Sequence, residues 1–155
     1  MRAVIQRVSR AEAKVGAAAV GACGAGLLVL LGVATGDRPE DADRLALKVS
    51  RLRVFENSDG KLDRSIIESR GEVLVVSQFT LISDSRGQKG TRPDVSKAAR
   101  PEVAEPIYDR FCEALRGHGV PVQTGVFGAK MAVALVNDGP VTIVLDVERR
   151  QEGHS

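Results

Sequence analysis

Two short apolar runs constrain this chain more than any other feature. Leu27-Leu28-Val29-Leu30-Leu31 is closed by a glycine on each side, and Val73-Leu74-Val75-Val76 leads into polar residues. Neither run alternates apolar with polar, as a half-buried strand does, and both are short for a buried helix. They predict strands buried on both faces, so each side of their sheet needs a cover.

The covering elements are also legible. Leu45, Val49 and Leu52 recur at helical spacing, with Arg44, Lys48 and Arg51 on the other side, which predicts a helix from about 40 to 52. Asp37 is read as its cap, with Glu40 three residues on. A second helix is predicted from about 101 to 116. Pro101 suits its first turn, Val103, Ile107, Phe111 and Leu115 repeat every four residues, and Pro106 is expected to strain it. Gly117 and Gly119 end it. Strands are predicted over 2–9, 15–20, 27–31, 72–82, 120–126, 130–136 and 141–147, with another beginning at Val54-Phe55. Asn57 to Gly60 is a turn cluster. On composition, Asn137-Asp138-Gly139-Pro140 is a hairpin turn joining the last two strands. This order implies an α+β fold: a single domain with a curved, barrel-like mixed sheet flanked by two main helices. The domain is expected over 1–147, with a polar C-terminal tail over 148–155.

At 155 residues, a single domain buries roughly 70% of its unfolded surface and needs no metal or disulfide. The net charge of +2 carries no global basic field, so any contact with nucleic acid must come from a local patch. Cys23 and Cys112 match no metal or redox spacing and are expected to be buried free thiols, as suits a reducing compartment. The N-terminus has no signal-peptide core, and the run Leu27 to Leu31 is too short to span a bilayer. A cytoplasmic protein with no membrane segment is expected.

Familiar catalytic sets are missing. His118 lies between two glycines after a helix end, and His154 lies in the tail. Neither suits a Ser–His or Cys–His pair. No metal spacing is present, and no metal or cofactor is expected. Gly21-Ala22-Cys23-Gly24-Ala25-Gly26 precedes a strand rather than a helix, so it reads as a loop and not a nucleotide cradle. What remains is polar but not ionisable: Ser77, Gln78 and Thr80, where the central strand leaves the core. Taken alone, they read as an ordinary strand end. A site built from such groups works through fixed backbone N–H donors and a nucleophile supplied by the substrate.

Four segments, in this order and spacing, carry more. They are Arg2 to Val8, Ser77-Gln78-Phe79-Thr80-Leu81, Thr124-Gly125-Val126-Phe127-Gly128-Ala129, and Asn137-Asp138-Gly139-Pro140-Val141-Thr142. Together they resemble the D-aminoacyl-tRNA deacylase family, over roughly residues 1 to 147.

The resemblance implies a homodimer that hydrolyses the ester between a D-amino acid, or glycine, and the terminal adenosine of tRNA, sparing L-aminoacyl-tRNA. Its active site lies at the subunit interface. Ser77, Gln78, Phe79 and Thr80 form the pocket of one subunit. Gly139 and Pro140, joined by a cis peptide bond, enter from the other. Their backbone carbonyls are expected to hold the substrate ammonium, with Arg7 as their strut. Gln78 and the amides of Phe79 and Thr80 are expected to bind the ester oxygen. Thr80 lacks a base to activate it as a nucleophile, and the substrate's 2′-hydroxyl is the better candidate. Phe127 and Met131 are assigned either to the adenosine pocket or to core packing. Arg86, Lys89, Arg92, Lys97 and Arg100, against Asp84 and Asp94, give a local positive excess suited to phosphate. Two rivals stay open on the residues alone: a non-catalytic RNA-binding module on the same fold, and a generic small-molecule esterase.

Overall fold

The computed structural model describes residues 1–84, 86 and 90–147. The expected tail over 148–155, with His154, and Lys89 of the basic stretch lie outside the described residues.

Eight strands and three helices follow in the order β1 (Arg2–Val15), β2 (Ala18–Cys23), β3 (Gly26–Gly32), α1 (Pro39–Arg51), β4 (Phe55–Glu56), β5 (Leu62–Arg64), α2 (Ile66–Ser69), β6 (Glu72–Ser77), α3 (Pro101–Gly117), β7 (Val122–Thr124) and β8 (Ala132–Asp146). The main sheet runs β2-β1-β3-β6-β7, and β8 pairs with the other edge of β1. β3–β6 and β6–β7 are parallel, and the remaining pairs of this sheet are antiparallel. The sheet curls until β2 nears β7, where the Ala22 amide donates to the Gln123 side chain at 2.8 Å. An added Cβ on Gly21 would sit 2.3 Å from the Thr124 carbonyl oxygen, so this near-closure depends on glycine.

The two apolar runs behave as their composition requires. Leu27, Val29 and Leu31 of β3, with Val73 and Val75 of β6, face a core completed by Leu45 and Val49 of α1 and by Ile107, Phe111 and Leu115 of α3. Leu28, Leu74 and Val76 face a second cluster with Val8, Ala11, Ala13 and Cys23. β3 and β6 are therefore covered on both faces. Both cysteines are free and buried.

Several boundaries differ from expectation. β6 stops at Ser77, and a short 3-10 turn, Phe79–Ile82, replaces the expected end of the strand. Asp37 does not cap α1. Its carboxylate takes the Ala34 amide and the Met1 ammonium, while Asp41 reaches back to the Arg38 amide at 2.9 Å. Val103 lies on the exposed side of α3, whose buried face is Ala104, Ile107, Tyr108, Phe111, Cys112 and Leu115. α3 continues through Pro106 to Gly117. The short helix α2 lies outside the expected elements; Ser65 and Glu68 close its start with a reciprocal capping box.

The largest correction concerns residues 137–140. They make no hairpin: the two strands expected there are one strand, β8. Its two halves run antiparallel to the same partner, β1, so the chain does not reverse. The turn-forming residues are absorbed as a bulge instead. Thr142 faces Gln6 and Asn137 faces Val8, so Asp138 to Val141 stand opposite Arg7 alone. A further slip between Val8 and Arg10 changes the parity of β1. Ala3 and Ile5 therefore face the helices, while Ala11 and Ala13 face the inner cluster.

Candidate active site

The chain leaves β6 after Ser77 and turns at once. Its direction is fixed by Gln78, whose amide donates to the Leu31 carbonyl of the neighbouring strand at 2.8 Å. Gly32 lies beneath the turn: a Cβ there would stand 3.0 Å from the Leu81 Cβ and 3.1 Å from the Gln78 oxygen. The first amides of such a turn have no partner inside it. Those of Phe79 and Thr80 donate no hydrogen bond among the described residues.

This turn forms one wall of a cleft of about 450 Å³, lined by Ser77, Gln78, Phe79 and Thr80, by Val33, Ala99, Pro101 and Ala104, and by Phe127, Gly128 and Ala129. None of these residues carries an acid, an amine or an imidazole. Phe79 is 59% exposed at its edge. Phe127 is held from behind by Tyr108, with ring centres 5.7 Å apart. Tyr108 is itself pinned by its hydroxyl, which donates to the Val75 carbonyl at 2.9 Å. Burial pushes that hydroxyl far above its ordinary pKa, so it stays a donor. The Thr80 hydroxyl accepts from the Gln78 side-chain amide at 3.3 Å. Among the described residues no base is hydrogen-bonded to it, and His118 is exposed at the end of α3.

Ser77, Gln78, Phe79, Thr80 and Phe127 thus share one cleft. Met131 does not line it: it packs against the inner cluster, close beside Gly125. Gly139 and Pro140 do not line it either. They sit in an exposed stretch, 136–140, at the bulge of β8. Their peptide bond is cis, and Gly139 has φ +121°. Arg7 reaches this bulge from a buried position. Its Nε donates to the Asp138 carbonyl at 3.0 Å and its Nη1 to the Val54 carbonyl at 2.8 Å. The small residues Val33, Ala99, Ala104 and Ala129 were missed by sequence reasoning. They contribute shape, and nothing in their type signals a site.

A family model described as D-Tyr-tRNA(Tyr) deacylase matches residues 4–146. The chain belongs to this family. A D-aminoacyl-tRNA deacylase of Opitutus terrae is 55% identical over 97% of this chain and 100% of its own length. One of Anaeromyxobacter dehalogenans is 57% identical over 96% and 99%. Among solved structures, one named c-Myc DNA Unwinding Element Binding Protein superposes with a TM-score of 0.88 at 41% identity, covering 96% of this chain and all of its own. A probable eukaryotic D-amino acid tRNA deacylase shares the fold, with a TM-score of 0.78 at 19% identity over 94% of this chain and 98% of its own. Family membership sets the reaction class, hydrolysis of the ester joining a D-amino acid to tRNA, and makes the chain a hydrolase.

No group of His, Cys, Asp and Glu among the described residues is arranged to hold a metal ion. No helix among them is long and apolar enough to cross a membrane.

Proposed function

We propose that deacylation takes place in the cleft walled by Ser77 to Thr80, and that it proofreads the chirality of aminoacyl-tRNA in the cytoplasm. The observation that carries this reading is a cleft with no ionisable group among its described lining residues, edged by two consecutive backbone amides that donate to nothing else among the described residues. Such a cleft suits an ester that becomes negatively charged on attack. The amides of Phe79 and Thr80, with the Gln78 side chain, stabilise that charge in place. With no base among the described lining residues, the ribose 2′-hydroxyl beside the ester assists the attacking water. Phe127 provides a face for the terminal adenosine.

The working unit in this reading is a homodimer. Among the described residues β8 pairs on one edge only, leaving a strand edge of the kind that pairs with a second chain. Val136 and Val144 are exposed along it. Gly139 and Pro140 lie outside their own protomer's cleft, so they serve the cleft of a second copy. There their carbonyls hold the substrate ammonium, and an L side chain meets rigid backbone. Glycine has no side chain to be rejected, so glycyl-tRNA is also cleaved. Arg92 and Arg100 form no ion pair among the described residues, and Arg100 lies between the cleft residues Ala99 and Pro101. With Arg86 and Lys97, they suit the phosphates leading to the 3′ end.

Purified protein incubated with D-tyrosyl-tRNA and L-tyrosyl-tRNA tests the reading. The D ester is expected to disappear while the L ester survives. Equal survival of both would favour a binding module, and rapid cleavage of simple esters lacking a ribose would favour a generic esterase.

A further inference from the structure

We propose that Arg2 and Asp146 are positioning residues for deacylation, which hold the turn Phe79–Ile82 at its far end. The inference rests on placing the reaction at Ser77 to Thr80. The near end of the turn is fixed by Gln78 on Leu31, and its underside by the bare Cα of Gly32. Its far end carries carbonyls that the turn itself cannot satisfy. Arg2 supplies one donor there: its Nη1 reaches the Leu81 carbonyl at 3.2 Å. The other side of the guanidinium is clamped by Asp146, with Nε at 2.7 Å from Oδ1 and Nη2 at 3.3 Å from Oδ2. The placement is built into the sheet, since Arg2 faces Asp146 across β1 and β8 and faces Gly32 across β1 and β3.

The chemistry of the pair fits positioning better than stabilisation. Both side chains are 41% exposed, and exposed ion pairs contribute little to folding. The forked, planar guanidinium is nevertheless suited to linking a carboxylate and a carbonyl in fixed directions, which a lysine ammonium is not. A small drift of the turn would move the Phe79 and Thr80 amides away from the developing oxyanion, where misplacement by about 1 Å costs on the order of 100-fold.

The test is single-turnover and steady-state hydrolysis of D-tyrosyl-tRNA by Arg2→Lys, Arg2→Gln and Asp146→Asn, with thermal melts of each. Ala129→Trp, which fills the cleft, serves as the control for the site itself. Arg2→Lys and Arg2→Gln are expected to lower the single-turnover rate and kcat roughly tenfold or more, with KM and Tm nearly unchanged, and Asp146→Asn to lie between them and wild type. Wild-type rates in Arg2→Lys, or a raised KM at unchanged kcat, would overturn the inference. If Ala129→Trp is inactive in that case, the site assignment stands without it. Full activity in Ala129→Trp would remove the site assignment itself.

Discussion

The Nε of Arg7 donates to the carbonyl oxygen of Asp138 at 3.0 Å, one residue ahead of Gly139. The arginine is 5% exposed, and the rest of its fork is engaged too. Nη1 holds the Val54 carbonyl, and Glu56 lies 3.7 Å from Nη2. Arg7 therefore ties the bulge of β8 to the start of the β4–β5 hairpin. A lysine keeps the charge but cannot serve both carbonyls with the same geometry. Arg7→Lys is expected to lose about 1–3 kcal/mol of stability, the cost of an unmatched buried polar group. It is also expected to narrow the ratio of D- to L-tyrosyl-tRNA cleavage. Denaturant unfolding and the two-ester assay measure these effects separately.

Gly139→Ala tests the same bulge from inside. Gly139 has φ +121°, a conformation that side chains rarely adopt. Its added Cβ would stand 2.9 Å from Arg7 Nη2 and 3.0 Å from Val141 Cγ2. The backbone alone is expected to cost roughly 1–3 kcal/mol, and the contact would push on the Arg7 fork. Loss of most D-tyrosyl-tRNA cleavage is expected, with the protein still folded by circular dichroism. A fully active variant would show that this backbone does not touch the substrate.

Thr80→Ala separates the two possible nucleophiles. The Thr80 hydroxyl has an amide as its neighbour, at 3.3 Å, and no base bonded to it among the described residues to take its proton. Removing it is expected to leave hydrolysis within about tenfold of wild type, whereas deleting a true covalent nucleophile costs on the order of 10⁶. Tyrosyl-tRNA ending in 2′-deoxyadenosine is the complementary measurement. It is expected to resist cleavage by the wild-type protein.

The parts of the fold set by local chemistry were legible. β3, both main helices and the start of the central strand follow from runs and periodicities that have one reading. The strand end at Ser77 was visible, but the turn after it was not. That turn depends on Leu31 and Gly32, which lie far away in sequence. The Asn137 to Pro140 stretch shows the same limit in reverse. Its residues favour a reversal, yet β1 pairs with both flanks and keeps the strand running. The cleft could be inferred only from its polar wall. Its other walls are three alanines, a valine, a proline, a glycine and Phe127, brought together by packing. The role of Arg7 was legible through family resemblance, whereas that of Arg2, five residues earlier on the same strand, became visible only through its contacts.

Acid titration isolates the Arg2–Asp146 pair. The hydrogen bond from Arg2 holds the Asp146 carboxyl below the usual carboxylate range, against a smaller opposing effect of burial. Its pKa in the unfolded chain is near 3.9. The unfolded chain thus takes up this proton before the folded protein does, and the pair's contribution is lost as pH falls. Above about pH 5 the contribution is complete. It declines as pH drops past the unfolded value and vanishes below the lower folded one. Asp41 and Asp84 also have depressed values, but they titrate alike in wild type and in Asp146→Asn, so they cancel in the difference. The stability gap between the two proteins is therefore expected to be constant from pH 7 to 5 and to close in stronger acid. With both side chains 41% exposed, solvent screening keeps the gap under about 1 kcal/mol, and 1 M salt should shrink it further. A gap that widens as pH falls would mean that the carboxyl is held above its ordinary value instead, and that Arg2 is not its partner in solution.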